Sequence, residues 1–179
     1  FKASLKKSAI PTCEISCIVP SWYGGYQFST TTRVFVILHD GRVMAFGHNG
    51  QGQLGDGTTN NRSVPAVITG ISNVKMISAG VYCTWVVDSS GNLFHCGNDT
   101  NGVGGGTARQ SFAQLTGVSN VEQAELYCLG YYNSAVSATG YVIQANGDLF
   151  SIGYNGNGQL GIGNTTNQSA FQQVGGSEN

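Results

Sequence analysis

Short apolar runs alternate with turn signals along this chain, and no stretch shows helical spacing. Residues 34–38 read VFVIL and lead into Asp40-Gly41; residues 141–145 read YVIQA and lead into Asn146-Gly147. Asp-Gly and Asn-Gly supply the positive φ that a two-residue hairpin turn demands. Between these hairpins, Val74 to Ala79, Thr84 to Asp88, Asn92 to Cys96 and Phe112 to Leu115 read as four strands. The second and third are joined by the turn Asp88-Ser89-Ser90-Gly91. The pattern therefore predicts an all-β chain of short antiparallel strands. Its longest aliphatic and aromatic run, Val34 to Leu38, is far below the roughly 20 residues of a spanning helix. No apolar segment follows Lys2, Lys6 and Lys7, so neither a signal peptide nor membrane insertion is expected.

The same unit is written three times. GRVMAFGHNGQGQLGDGTTNNRS from Gly41 matches GDLFSIGYNGNGQLGIGNTTNQS from Gly147 without a gap. A middle copy, GNLFHCGNDTNGVGGGT from Gly91, lacks the Gln-Leu pair and reads as one residue shorter in the loop. Upstream, Gly24-Gly25-Tyr26, Gly80-Val81-Tyr82 and Gly130-Tyr131-Tyr132 share a Gly-x-Tyr pattern. The first and third copies carry six extra residues between that Gly and the hairpin Gly. Four strands per repeat at this period is the signature of propeller blades. The expected division is an extension at 1–13, blades at about 14–69, 70–117 and 118–174, and a tail at 175–179. The glycines at the repeated turns are Gly41, Gly47, Gly55, Gly91, Gly97, Gly147, Gly153 and Gly161.

The pattern G-x-L-[FY]-x-x-G-x-N-x-x-G-Q-L-G-x-G, preceded by I-S-A-G, resembles the regulator of chromosome condensation repeat over residues 14 to 174. The resemblance implies blades of a seven-bladed β-propeller. The chain departs from it by holding three repeats. Phe46, Cys96 and Ile152 stand where the family usually has Trp, and the usual His near Tyr26, Tyr82 and Tyr132 is absent. Three blades form a partial propeller, and its two outer faces need covering. Either further blades or protein subunits of the same assembly are expected there.

Composition sharpens this reading. Gly accounts for 27 of 179 residues, charged residues for 9% and hydrophobic residues for 40%. Coiled coils and charge-rich disordered tails do not have this balance. Collagen is excluded because Gly has no three-residue period and Pro occurs only 3 times. A net charge of −1 gives no footprint for phosphate backbones, so no nucleic-acid partner is expected. Five cysteines, an odd number, leave at least one unpaired within the chain. Cys13 and Cys17 are too far apart along a strand to bridge, and no second pair completes a zinc site. Folding in a reducing cytoplasm fits best.

Candidate chemistry is sparse. Gly50, Gly52 and Gly55 spell G-x-G-x-x-G, as do Gly156, Gly158 and Gly161, but no helix follows to bind a pyrophosphate. His39, His48 and His95 do not recur as a repeat requirement, and no acid, base and nucleophile assemble into a catalytic set. No catalytic residue, cofactor or metal is assigned. Tyr26, Tyr82 and Tyr132 form a candidate binding rim, because equivalent positions in a propeller lie on a ring and Tyr is a common recognition residue. Packing at a strand end is the plainer role for the same side chains.

Low charge, a surface rich in Asn, Thr, Ser and Gln, and an incomplete blade set point to a non-enzymatic binding module. The expected setting is an exposed assembly such as a phage tail or tail fibre, in a virion, with a cell-surface receptor or glycan as ligand. The alternatives are a cellular, cytoplasmic propeller scaffold, a secreted inhibitor and a guanine-nucleotide exchange domain.

Overall fold

In a computed structural model, residues 15–21, 32–98, 102–105, 108–132 and 135–175 are described, without the side chains of 21, 128–132 and 135–137. Twelve strands form three four-stranded sheets. The first sheet holds β1 (Ile15–Ser21), β2 (Arg33–Leu38), β3 (Val43–Gly47) and β4 (Arg62–Val67). The second holds β5 (Val74–Ala79), β6 (Cys83–Asp88), β7 (Leu93–Gly97) and β8 (Arg109–Gln114). The third holds β9 (Val121–Tyr132), β10 (Ala135–Gln144), β11 (Leu149–Gly153) and β12 (Gln168–Gln173). Every sheet is an antiparallel meander in chain order, which is the connectivity of a propeller blade.

The strand pairings fix which residues are equivalent. Arg33, Cys83 and Thr139 face Gly47, Gly97 and Gly153. At these three glycines φ is 110°, 96° and 109°, and a Cβ would run into the carbonyl oxygens of Thr32, Tyr82 and Ala138. Only Gly fits that approach. The other turn glycines picked out by the repeat also have positive φ. The middle loop differs from its sequence reading. Gly47 pairs with Arg62 and Gly153 with Gln168, both 15 positions on, whereas Gly97 pairs with Arg109, 12 positions on. The deletion is therefore three residues, and it falls just before the outer strand.

The six extra residues of the third copy lengthen one hairpin. β9 and β10 stay paired out to Tyr132 and Ala135. The carbonyls that meet Gly97 and Gly153 belong to Tyr82 and Ala138, so Ala138 occupies the position of Tyr82, and Tyr132 lies out on the extension.

Apolar side chains are buried between the sheets. One cluster joins Phe35, Ile37, Val43 and Leu54 of the first blade to Val74, Ile77, Val86 and Phe112 of the second. Another joins Trp85, Val87, Leu93 and Val103 to Ala124, Leu126, Val142 and Ile152 of the third. The middle blade is covered on both faces, which is why five successive residues of β6 are buried. Trp85 lies against Gly140, where any Cβ would enter the indole ring. A Gly inside a strand here marks a close approach.

The second blade contains a volume exchange. Ala45, His95 and Ser151 are equivalent by pairing, as are Leu54, Gly104 and Leu160 by position in the loop. In the first and third blades a small strand residue meets a loop leucine. In the second, the His95 ring fills the space where a Gly104 side chain would stand. His95 is fully buried and neither ring nitrogen has a hydrogen-bond partner. Burial, with the Arg109 charge adding to it, lowers its pKa to about 4.

This arrangement predicts acid sensitivity. Below the unfolded value of 6.5 the unfolded chain takes up a proton that the folded chain resists until about pH 4. Stability should fall through that window by roughly 3 kcal/mol. Urea unfolding across pH 4 to 7 measures it. The double variant H95A/G104L restores the pattern of the other blades and should flatten the profile. At pH 7 it should be at least ~2 kcal/mol more stable than the sum of H95A, which leaves a cavity, and G104L, which overpacks.

Candidate functional site

The repeated N-x-x-G-Q-L-G segment forms a loop organised by a buried asparagine. Asn49 Nδ2 donates to the Thr58 carbonyl and to Asp56 Oδ1, both at 3.0 Å, and Asn49 Oδ1 accepts from the Leu54 amide at 2.9 Å. The Asn49 amide donates to Asn61 Oδ1 at 2.8 Å. In the third blade Asn155 repeats this, donating to the Asn164 and Thr166 carbonyls at 2.9 and 3.1 Å and accepting from the Leu160 amide at 2.9 Å. One side chain thus satisfies backbone groups that a tight loop strips of water. In the first loop Asp56 also pairs with Arg62. Burial opposes its ionisation, but hydrogen bonds from Arg62 and Thr58 outweigh that and hold it below the usual carboxylate range.

The residue before the loop Leu offers one carbonyl at the same place in each blade. The Val103 carbonyl accepts from Trp85 Nε1 at 3.1 Å, and the Gln159 carbonyl from the Tyr141 hydroxyl at 2.7 Å. Phe35, at their position, has no donor. The Gln53 carbonyl instead takes the Thr84 hydroxyl of the next blade at 2.8 Å, with Cys96 Sγ at 3.4 Å. Burial pushes the Cys96 thiol far up, so it stays protonated. Arg33 reaches across the same junction. Fully buried, it donates to the Val81 and Cys83 carbonyls at 3.0 and 2.9 Å, to the Gly80 carbonyl and to the Thr84 hydroxyl. Nothing in the repeat pattern marks Arg33, because Cys83 and Thr139 stand at its position in the other blades.

The loop also clips onto the following blade. The Gly57 amide donates to the Gln110 carbonyl of β8 at 2.9 Å, and Asp56 bridges Ser111. Gly55 lies on the Phe112 ring, and a Cβ added to Gly102 of the second loop would stand only 2.8 Å from the Ser169 Cα of β12. In the third loop, Gly158 and Gly163 have nothing within 4 Å.

Two faces are left open. The first blade presents a groove of about 180 Å³ lined only by apolar residues: Ile15, Ile18, Val34, Val36, Leu38, Met44, Phe46 and Pro65. Their counterparts Val86, Val142, Cys96 and Ile152 are buried at the internal junctions. On the far side, Tyr127 of the third blade is exposed and meets the Tyr141 ring edge-on at 6.3 Å. Ile143 is exposed there, whereas its equivalents Ile37 and Val87 are buried. The large exposed apolar residues among the described ones are Ile15, Ile18, Val64, Val67, Tyr127 and Ile143. All lie in the two end blades.

Tyr82 packs against the cluster between the second and third blades and is half-buried. Tyr26 lies outside the described residues, as does the side chain of Tyr132. Gly50, Gly52 and Gly55 lead through the loop into β4 with no intervening helix. Cys17 and Cys96 are free thiols; Cys13 and the Cys128 side chain lie outside the described residues. Among the described residues no three His, Cys, Asp or Glu side chains gather as metal ligands, and no helix is long and apolar enough to cross a membrane.

Comparisons place these blades among known proteins. Residues 40–87 match the family model of the Regulator of chromosome condensation (RCC1) repeat. The chain is 28% identical over 144 residues to the X-linked retinitis pigmentosa GTPase regulator of Canis lupus familiaris, covering 78% of this chain and 14% of that protein. The crystal structure of human WBSCR16 superposes with a TM-score of 0.70 at 21% identity, over 93% of this chain and 39% of that one. A chain in the crystal structure of Kap60 bound to yeast RCC1 (Prp20) gives 0.65 at 17% identity, over 79% and 35%. The chain thus spans a small part of the relatives it matches. Residues 40–87 thus carry a regulator of chromosome condensation repeat, and the three meanders have the fold of blades of a partial propeller like those of these relatives.

Proposed function

We propose that the chain is a protein-interaction module that works by contact and not by catalysis. One observation carries this reading: the apolar positions covered in the middle blade are exposed at both ends of the blade set. Contiguous apolar faces of this kind mark protein-binding surfaces. The solved structure of yeast RCC1 with Kap60 supports the reading, since that propeller protein is bound to another protein.

A finer setting, an exposed assembly such as a phage tail or virion with a receptor or glycan as ligand, rests on the 9% charge, the richness in Asn, Thr, Ser and Gln, and the incomplete blade set. The relatives named above come from dog, human and yeast, and they lend it no support. The cellular scaffold uses the same faces.

Site-directed photo-crosslinking in the native source separates these readings. A photoreactive residue at Ile18 or Ile143 should give protein adducts, and one at Gln114 on the covered middle blade should give at least about tenfold fewer. Equal yields at all three positions would remove the interaction reading. Adducts made only of particle proteins would favour the virion; adducts made only of cell proteins would favour the scaffold.

A further inference from the structure

The second loop is held by two side chains, Trp85 and His95, which are cross-strand partners on β6 and β7. Trp85 Nε1 donates to the Val103 carbonyl at 3.1 Å, and the His95 ring lies so close on Gly104 that a Cβ there would enter it. From this mount the loop reaches the third blade. A Cβ on Gly153 of β11 would meet Val103 Cγ1, and one on Gly102 would meet Ser169 of β12. The indole itself lies on Gly140 of β10, with the Phe171 ring centroid 5.9 Å from its own. His95 therefore stands where the second loop is fastened to the third blade.

A proton on that ring would find no acceptor. Both ring nitrogens are buried without a partner. Arg109 of β8 is the charged group beside the ring, and its Nε is likewise buried without a partner. Among the described residues, β6 adds the Cys83 thiol. In the third blade, Glu122 and Glu125 of β9 are engaged by Lys75 and Ser78 at 3.3 and 3.4 Å, and β10, β11 and β12 hold no Asp, Glu, His, Lys or Arg. A charged imidazole next to a guanidinium, with no acceptor in reach, is driven out to water. In the first and third blades Ala45 with Leu54 and Ser151 with Leu160 hold this place, and neither pair can charge. We propose that His95 is an acid-operated latch of the junction between the second and third blades: on taking a proton from solvent its ring swings off Gly104, and the second loop leaves the third blade while the first and second blades stay packed. The open form binds the proton and the closed form resists it, so acid raises the open population. One junction yields before the chain as a whole unfolds.

Native-state hydrogen exchange of the Trp85 indole in the full chain tests the latch. With a pKa of 6.5 for the released ring and about 4 for the packed one, lowering the pH from 7 to 5 should cut the protection of Nε1–H about 20-fold, after correction for the intrinsic pH dependence of exchange. At pH 5 that exchange should respond little to low urea. The Ile68 amide, bound to the Val43 carbonyl at 2.8 Å, should respond with the full slope of global unfolding. H95A/G104L removes the imidazole, keeps His48 at the first loop, and should show equal indole protection at both pH values. H95M, an uncharged side chain of similar length, should do the same where the double variant does not fold. Wild-type protection unchanged by pH, an equal fall in the variants, or an indole that follows Ile68 at every urea concentration would overturn the proposal.

Discussion

The Gly52–Thr58 loop of the first blade lies on β8 of the second, with the Gly57 amide bonded to the Gln110 carbonyl at 2.9 Å and Gly55 pressed on the Phe112 ring. Asn49 holds the loop in the shape that makes this reach possible. The strands alone would give three separate meanders with wet apolar faces, and a lone four-stranded sheet of this size has little core of its own. Packing of each blade on the next removes those faces from water. The family-model match shows the same logic, because residues 40–87 run from the turn after β2 to the end of β6. One sequence repeat therefore supplies the outer half of one blade and the inner half of the next.

That arrangement explains how the copies tolerate different side chains. The carbonyl before the loop Leu is satisfied in every blade, by Trp85, by Tyr141 or across the junction by Thr84. His95 and Gly104 exchange volume against Ala45 with Leu54 and Ser151 with Leu160. Each pair shares one buried space, so a change at one member has to be matched at the other. The exchange leaves an imidazole buried without partners, and its neutral form follows from that burial.

The meanders were legible in the sequence because strand alternation, Asp-Gly and Asn-Gly turns, and repeated glycines are local signals. Val74–Ala79 stands as an observed strand, and the other three strands proposed for the middle copy overlap observed ones. What joins the blades was not legible. Arg33 binds carbonyls 47 to 50 positions away and has no counterpart in the other copies. Equivalence between copies was also distorted where residues are inserted. The Gly-x-Tyr match equates Tyr82 with Tyr132, whereas strand pairing equates Tyr82 with Ala138, because the extra residues lengthen a hairpin. The open faces could be foreseen from the blade count, but their side chains required the register. VFVIL alternates between the covered face, with Phe35 and Ile37, and the open one, with Val34, Val36 and Leu38.

Hydrogen exchange on Asn49→Ala tests the central claim that the asparagine-built loop holds neighbouring blades together. Losing its hydrogen bonds should free the Leu54 and Gly57 amides and speed exchange in β8 of the next blade by at least about tenfold. Exchange in β12, which receives the second loop, should change little. Faster exchange confined to residues 49–58, with β8 protected as before, would contradict it.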